Sequence, residues 1–306
     1  MQIPDYIGPY RVVCRVGTGF MGEVYEAERE ITGDGAVFLE TVAIKLPRSR
    51  LPRLAEFFHH EYAIGRHMRY QHLVWIQDLI LLEDHTPCLV MEFVHGQLLG
   101  SLVDNIRTLE ALEIIRQVAL GLDWFHTRCD GSTWLRAVHS DVKPDNIFLT
   151  NEGTIRVFDY SIADHLIRNR QIETETTQGT PVYMSPELAL ARAIDFRSDL
   201  FTLGTLLFEL LFHWRPFDRA NTFETMTYIA NGSFKGQINE VNRHYHHLPD
   251  LSRVLASCWE RDPGKRPKSA MTVAFAMEGF ILQEQKHKHL PIGPVSLLPL
   301  LGNHTP

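Results

Sequence analysis

Cysteine is scarce in this chain: four residues in 306, at Cys14, Cys88, Cys129 and Cys258, with no CxxC pair. Such spacing argues against both a disulfide framework and a thiolate zinc site. No apolar run reaches the ~18 residues that a membrane-spanning helix needs. The opening residues, MQIPDYIGPYR, lack the basic start and apolar stretch of a signal peptide. Positive charge is not in excess either, with 30 Lys and Arg against 37 Asp and Glu and a net charge of −7, which argues against a dedicated nucleic-acid binder. Repeats and low-complexity segments are missing too. These absences lead to the expectation of a soluble protein of a reducing, cytoplasmic compartment, with no nucleic-acid partner and no membrane span.

What is present suffices for a large core. With 306 residues, 44% of them apolar, the chain fits one large domain or two lobes. From Tyr10 to about Val94 the apolar runs are short, rich in Val, Ile and Tyr, and broken by glycine, which predicts strands. Within them Leu54 to Met68 carries a helical pattern that includes Phe57, Phe58, Ala63 and Ile64. After Gly96 longer helical periods take over. Leu112, Ile115, Ala119, Leu122 and Phe125 recur at steps of three and four, the apolar face of a long helix. The run Leu200–Leu211 is apolar nearly all round and predicts a helix buried on every side. The architecture expected is a small strand-rich lobe and a larger helical lobe, with a cleft between them as the default site. Beyond Leu282 the proline-containing segment predicts an extended or docking tail rather than a domain.

Gly17, Gly19 and Gly22 form a GxGxxG loop after the strand-like run Tyr10–Val16. Glycines let the backbone approach phosphates, and its N–H groups can donate to their oxygens. The same spacing opens dinucleotide-binding folds, but there a helix follows. Here Glu23–Ala27 alternates like a second strand, so a hairpin over phosphates fits better. In Val42-Ala43-Ile44-Lys45 a lysine sits in an apolar strand, and a buried ammonium needs anionic partners. Phosphates can supply one, and a carboxylate of the following helix, Glu56 or Glu61, the other. Farther on, Asp141 and Asn146 lie five apart in His139-Ser140-Asp141-Val142-Lys143-Pro144-Asp145-Asn146. Asp141 is suited to orient an attacking hydroxyl and accept its proton, Asn146 to offer a hard oxygen to Mg2+, and Lys143 to offset charge on a transferring phosphate. Asp159, after the strand-like Ile155–Phe158, is a second oxygen ligand for that Mg2+.

In this order the motifs resemble the eukaryotic-like (Hanks-type) Ser/Thr protein kinases from about Tyr10 to Leu282, and the glycine loop with MGEVY is similar to the bacterial branch. The resemblance implies an α+β, bilobal fold: an N-terminal extension at 1–9, a strand-rich N-lobe with one main helix at 10–95, a helical C-lobe at 96–282 and a tail at 283–306. It favours Glu61 over Glu56 as the partner of Lys45. It implies that Val24, Ala43 and Phe148 sandwich adenine and that Met91, Glu92 and Val94 belong to the hinge whose backbone pairs the base. Thr180, in Gly179-Thr180-Pro181, would contact Asp141 and Lys143, and these features resemble Ser/Thr rather than Tyr kinases. A Glu187–Arg266 ion pair and an Asp199 brace on the catalytic-loop backbone are implied as well. The implied activity is transfer of the ATP γ-phosphate to Ser or Thr of protein substrates, with Mg2+ (or Mn2+ in its place) and with Thr174, Thr176 and Thr177 as autophosphorylation acceptors.

Three departures stand out. Ser140 occupies the place of an arginine that normally pairs with a phosphorylated activation loop, which suggests weaker dependence on that phosphate. Tyr160-Ser161 replaces Phe-Gly, and serine lacks glycine's backbone freedom. Cys129–Arg136 has the look of a short insertion. Two other classes compete with an active kinase: a pseudokinase that only binds, and a small-molecule phosphotransferase, which would have no use for the 179–187 and 262–267 segments. His244–His247 reads as a surface loop, Lys286–His289 as a solvated basic turn, and Leu297–Leu301 as packing on its own chain.

Overall fold

The computed structural model describes residues 4–19, 22–33, 36–49, 51–131, 133–135, 137–160 and 181–302. The chain divides into two compact units, one reaching to Tyr70 and including Val74–His95, the other comprising Gln71–Leu73 and the residues from Gly96 onward.

The first unit is a six-stranded sheet with one helix. Its strands are β1 (Tyr6–Ile7), β2 (Tyr10–Thr18), β3 (Gly22–Gly33), β4 (Ala36–Pro47), β5 (Ile76–Leu81) and β6 (Pro87–Glu92), in the order β1-β2-β3-β4-β6-β5. All neighbours are antiparallel. The two-residue period of a strand sorts side chains to opposite faces. Tyr25 and Ala27 of β3 lie across from Ile44 and Val42 of β4, and these four pack with Tyr10, Cys88 and Val90 into the unit's core. The alternate pairs, Val24 with Lys45 and Glu26 with Ala43, take the other face.

Helix α1 (Pro52–Gly65) starts two residues before the expected Leu54 and ends three before Met68. Proline fits the first turn, where its missing N–H costs nothing. Phe57, Phe58, Glu61 and Gly65 are buried along one face, whereas Ala63, expected among the apolar positions, is exposed. A Cβ on Gly65 would stand 2.3 Å from Ile76 Cδ1, so glycine lets the helix approach the sheet.

The second unit carries a three-stranded sheet, in the order β11-β10-β7, of β7 (Gly96–Leu98), β10 (Ile147–Thr150) and β11 (Ile155–Val157). The hairpin β8–β9 (Cys129–Asp130, Thr133–Trp134) occupies the insertion before the catalytic loop. Its helices among the described residues are α2 (Thr108–His126), α3 (Pro186–Ala189), α4 (Arg197–Phe212), α5 (Thr222–Asn231), α6 (Lys235–His244), α7 (Leu251–Cys258) and α8 (Ala270–His287). The expected apolar stripe of α2 is fully buried from Leu112 to Phe125. Every residue of α4 from Ser198 to Leu211 is buried, as its all-round apolar sequence predicts. Phe201 of α4 joins Phe217, Phe234 and Trp259 in an aromatic cluster.

At the C-terminal end one expectation changes and two hold. Helix α8 runs to His287, past Leu282, because Glu284 and Gln285 continue its buried face. Lys286–His289 is exposed, as expected of a solvated basic segment, but Lys286 and His287 still belong to the helix; His287 stacks on His247 at 4.2 Å, and Lys288 reaches Glu284 at 2.7 Å. His247 itself donates from Nε2 to Glu284 at 2.6 Å. Leu297 is 1% exposed, and a Cβ on Gly153 would touch Leu298, so the Leu297–Leu301 segment packs on its own unit. Among the described residues no helix is long and apolar enough to cross a membrane.

His72 ties the short 71–73 segment to β11. Its Nδ1 donates to the Ile155 carbonyl at 3.2 Å, which leaves Nε2 to accept from Gln71 at 3.1 Å. Burial lowers its pKa from 6.5 to about 4, and the backbone hydrogen bond offsets only part of that. The unfolded chain therefore takes up this proton first. Stability is expected to fall as pH drops from about 6.5 towards about 4, by roughly 1.4 kcal/mol per pH unit at the steepest. Denaturant unfolding of wild type and His72→Gln across that range checks this. The variant should lose that part of the slope, and parallel profiles would assign the acid sensitivity to other groups.

Candidate active site

In the first unit the Gly17–Gly22 loop is the turn of a β2–β3 hairpin, closed by the Gly19 N–H donating to Gly22 O at 2.8 Å. The glycines are not equivalent. A Cβ on Gly22 would lie 2.1 Å from Leu46 O, so the neighbouring strand demands glycine there. At Gly17 and Gly19 the nearest atoms would be 3.8 and 3.9 Å away, ordinary contact distance. Val24, Ala43 and Lys45 share the sheet face opposite the core, and Met91, paired with Ala43, extends it along β6. Glu92 is tied to Trp75 through both backbone and side chain, at 3.0 and 2.8 Å. Val94 follows the end of β6.

Lys45 is 7% exposed and Glu61 2%. Nζ donates to Glu61 Oε2 at 2.9 Å and to Oε1 at 3.2 Å. Phe58 brackets the ammonium at 5.8 Å. Glu61 meets the lysine because it is the charged residue on the buried face of α1, whereas Glu56 is exposed. Breaking one member of such a pair would strand a buried charge.

In the second unit the 139–146 loop hangs from Asp199 at the start of α4. The Asp199 carboxylate accepts the His139 N–H at 2.8 Å, the Ser140 N–H at 2.6 Å and His126 Nε2 at 2.7 Å. His139 Nε2 donates to Phe158 O at 3.1 Å, so its Nδ1 is left to accept from the Asp141 N–H at 3.4 Å. Ser140 has φ 59°, a left-handed conformation that costs energy for a residue with a Cβ. Its Oγ is buried without a hydrogen-bond partner among the described residues.

Asp141, Lys143 and Asn146 converge. Asp141 Oδ2 accepts from Lys143 Nζ at 2.7 Å and from Asn146 Nδ2 at 2.7 Å, and Asn146 Nδ2 also reaches Asp141 O at 2.8 Å. Burial pushes the Asp141 carboxyl up, against the pull of Lys143, with Asp159 adding to the rise. Phe148 stacks on Phe158 at 4.8 Å, next to Asp159, whose φ of 71° is left-handed as well. Tyr160 stays buried beside Phe125 and His139, and its hydroxyl donates to Val157 O at 3.2 Å, so tyrosine is accommodated where the resembling family has phenylalanine. Ser161, Thr174, Thr176, Thr177 and Thr180 lie outside the described residues.

Glu187 and Arg266 form a buried bidentate pair at 2.7 Å on both arms. Ser198 donates to Glu187 at 2.5 Å, and Arg266 also holds Arg197 O at 2.8 Å. Burial alone would raise the Glu187 carboxyl, but Arg266 and Ser198 outweigh it and hold it below its ordinary value. Two further contacts went unread in the sequence. Tyr183 donates to Glu209 inside the unit, with Arg215 3.5 Å away; a lone carboxylate in the apolar run of α4 was the available signal. The other is His126 on Asp199, for which the apolar stripe of α2 gave none.

The chain matches the model of the protein kinase domain over residues 10–277. It is 28% identical over 292 residues to serine/threonine-protein kinase A of Synechocystis, covering 88% of this chain and 52% of that protein. To the tyrosine-protein kinase MasK of Myxococcus xanthus it is 30% identical over 286 residues, covering 90% of this chain and 43% of the relative. To the probable serine/threonine-protein kinase PknB of Lactococcus lactis it is 32% identical over 216 residues, covering 68% and 32%. The chain thus spans about half or less of the length of these relatives. With the family model matching most of its residues, the chain belongs to the protein kinase family.

Proposed function

We propose that this chain transfers the γ-phosphoryl group of ATP to serine and threonine hydroxyls of proteins. The observation that carries the reading is the single oxygen, Asp141 Oδ2, on which Lys143 and Asn146 converge. Lys143 and Asn146 fix the carboxylate, so that it orients the acceptor hydroxyl and takes its proton as the oxygen attacks phosphorus and ADP departs. Burial raises the Asp141 pKa against the pull of Lys143, which makes the carboxylate a better proton acceptor. Lys143 offsets charge on the transferring group. Lys45, held by Glu61, is the cation for the ATP phosphates, under a hairpin whose Gly17 and Gly19 are not required by packing among the described residues. Val24, Ala43, Met91 and Phe148 would hold adenine, with the backbone from Met91 to Val94 pairing the base. In this reading residues 10–95 are the kinase N-lobe and 96–282 the C-lobe, which carries Asp141 for the protein substrate.

Asn146 and Asp159 are the candidate metal ligands, and the donor chemistry fits. The Asn146 amide nitrogen is spent on Asp141, so the atom it can offer outward is its carbonyl oxygen, a hard ligand suited to Mg2+ or Mn2+. The metal, when bound, neutralises phosphate charge. Serine and threonine are favoured over tyrosine by Lys143 and the 179–181 segment, although one relative bears a tyrosine-kinase name. The four free cysteines suit a reducing, cytoplasmic setting.

Transfer of labelled γ-phosphate to the protein itself and to a generic basic protein tests the proposal. Asp141→Asn is expected to lose about a thousandfold in rate. Lys45→Ala and Asp159→Asn should abolish labelling, with melting transitions retained in all three. Near-normal turnover in Asp141→Asn would overturn the mechanism, and nucleotide binding without turnover in wild type would make the chain a binding module. Label on tyrosine would overturn the assigned specificity.

A second expectation follows from Ser140, which brings no cation to a phosphorylated loop. Replacing Thr174, Thr176 and Thr177 together by alanine should lower activity only a few-fold, as compared by initial rates on the basic protein. Near-total loss would show that another basic group reads that phosphate.

A further inference from the structure

Just below the glycine loop the β2–β3 ladder is irregular. Arg15 pairs with Tyr25 and Gly17 with Val24, so Val16 is a bulged extra residue. A bulge interrupts the ladder and leaves the strand held more loosely there. At this point one carboxylate ties the arms together. Arg15 Nη1 of β2 donates to Glu23 Oε1 at 3.0 Å, and the Tyr25 hydroxyl of β3 donates to Glu23 Oε2 at 2.5 Å. Tyr25 is part of the unit's buried core, so Glu23 is moored to a fixed point as well as to the opposite arm. Glu23 and Tyr25 alternate with Val24, which places the tie on the face away from Val24, Ala43 and Lys45.

We infer that Glu23 is a positioning residue for phosphate-bearing nucleotides, setting the spacing of the glycine-loop arms without touching the ligand. This rests on the reading of the loop as the ATP phosphate site. The two hydrogen bonds differ in worth. Arg15 is partly exposed and its ion pair is screened by solvent. The Tyr25 hydroxyl is a buried, charge-assisted donor. Burial and then Glu23 push the Tyr25 pKa up to about 12, and the Tyr25 hydrogen bond holds Glu23 below its ordinary value. Donor and acceptor therefore keep the needed protonation states throughout neutral pH.

Calorimetric titration of the full chain with adenosine and with a non-hydrolysable ATP analogue in Mg2+ separates positioning from general support of the fold. Glu23→Ala and Tyr25→Phe are each expected to weaken the triphosphate analogue about tenfold, equivalent to about 1.4 kcal/mol. Adenosine affinity, which also reports that the variant is folded, should stay unchanged. Arg15→Gln should cost less than either. Glu23→Gln keeps an acceptor for Tyr25 and should recover most of the loss. Equal weakening of both ligands, unchanged affinity for the analogue, or a Gln variant as poor as Ala would each overturn the inference. A wild-type protein that binds neither ligand would remove the phosphate-site reading itself, and this inference with it.

Discussion

A buried carboxylate must be repaid with hydrogen bonds, and Asp199, 0% exposed, is repaid by three groups. Two of them are consecutive backbone N–H groups of the 139–146 loop, the third an imidazole from the end of α2. The requirement runs both ways. Ser140 holds a left-handed backbone that a side chain disfavours, and its N–H is one of those Asp199 takes. Asp199 in turn is immobile because it stands in the first turn of α4, a helix with apolar packing on every side. The position of Asp141 thus descends from the hydrophobicity of a segment sixty residues later. Core and chemistry meet at that one side chain.

The Glu187–Arg266 pair applies the same logic at the other side of α4. Arg266 binds both oxygens of Glu187 and the carbonyl of Arg197, while Ser198 shares the carboxylate. Arg197 and Ser198 belong to the same helical turn as Asp199. One turn of helix therefore anchors both the 139–146 loop and the segment that carries Tyr183 and Glu187. Each ion is paired geometrically and hydrogen-bonded beyond its partner, the condition under which a buried charge pair is tolerated.

Legibility in the sequence followed locality. The glycine hairpin, Lys45 and the 139–146 loop could be read because their chemistry is written in consecutive residues, with strand alternation separating Val24 and Lys45 from Tyr25 and Ile44. Glu61 needed more, since two glutamates of α1 competed and only the resemblance favoured one; burial distinguishes them. The Asp199 brace and the Glu187–Arg266 pair also came with the resemblance, because no periodicity joins residues so far apart. Tyr183 with Glu209 stayed hidden, as did the Glu23 tie, because orientation around a helix or across a bulge decides such contacts. The end of α8 is hard to read for a related reason: Glu284 and Gln285 look solvated in sequence, yet Glu284 pairs with Lys288 and accepts from His247 and so can extend the buried face of α8.

The unequal surroundings of the three loop glycines bear on how this motif tolerates change. At Gly22 any side chain must displace the backbone of β4, so substitution there reads as damage to the sheet. At Gly17 and Gly19 a methyl group meets only ordinary contacts. Among the described residues the protein's own packing therefore does not require glycine at those two positions. A motif that looks uniform as text is two separate constraints: one glycine required by the protein's own backbone, and two that the proposed nucleotide would require.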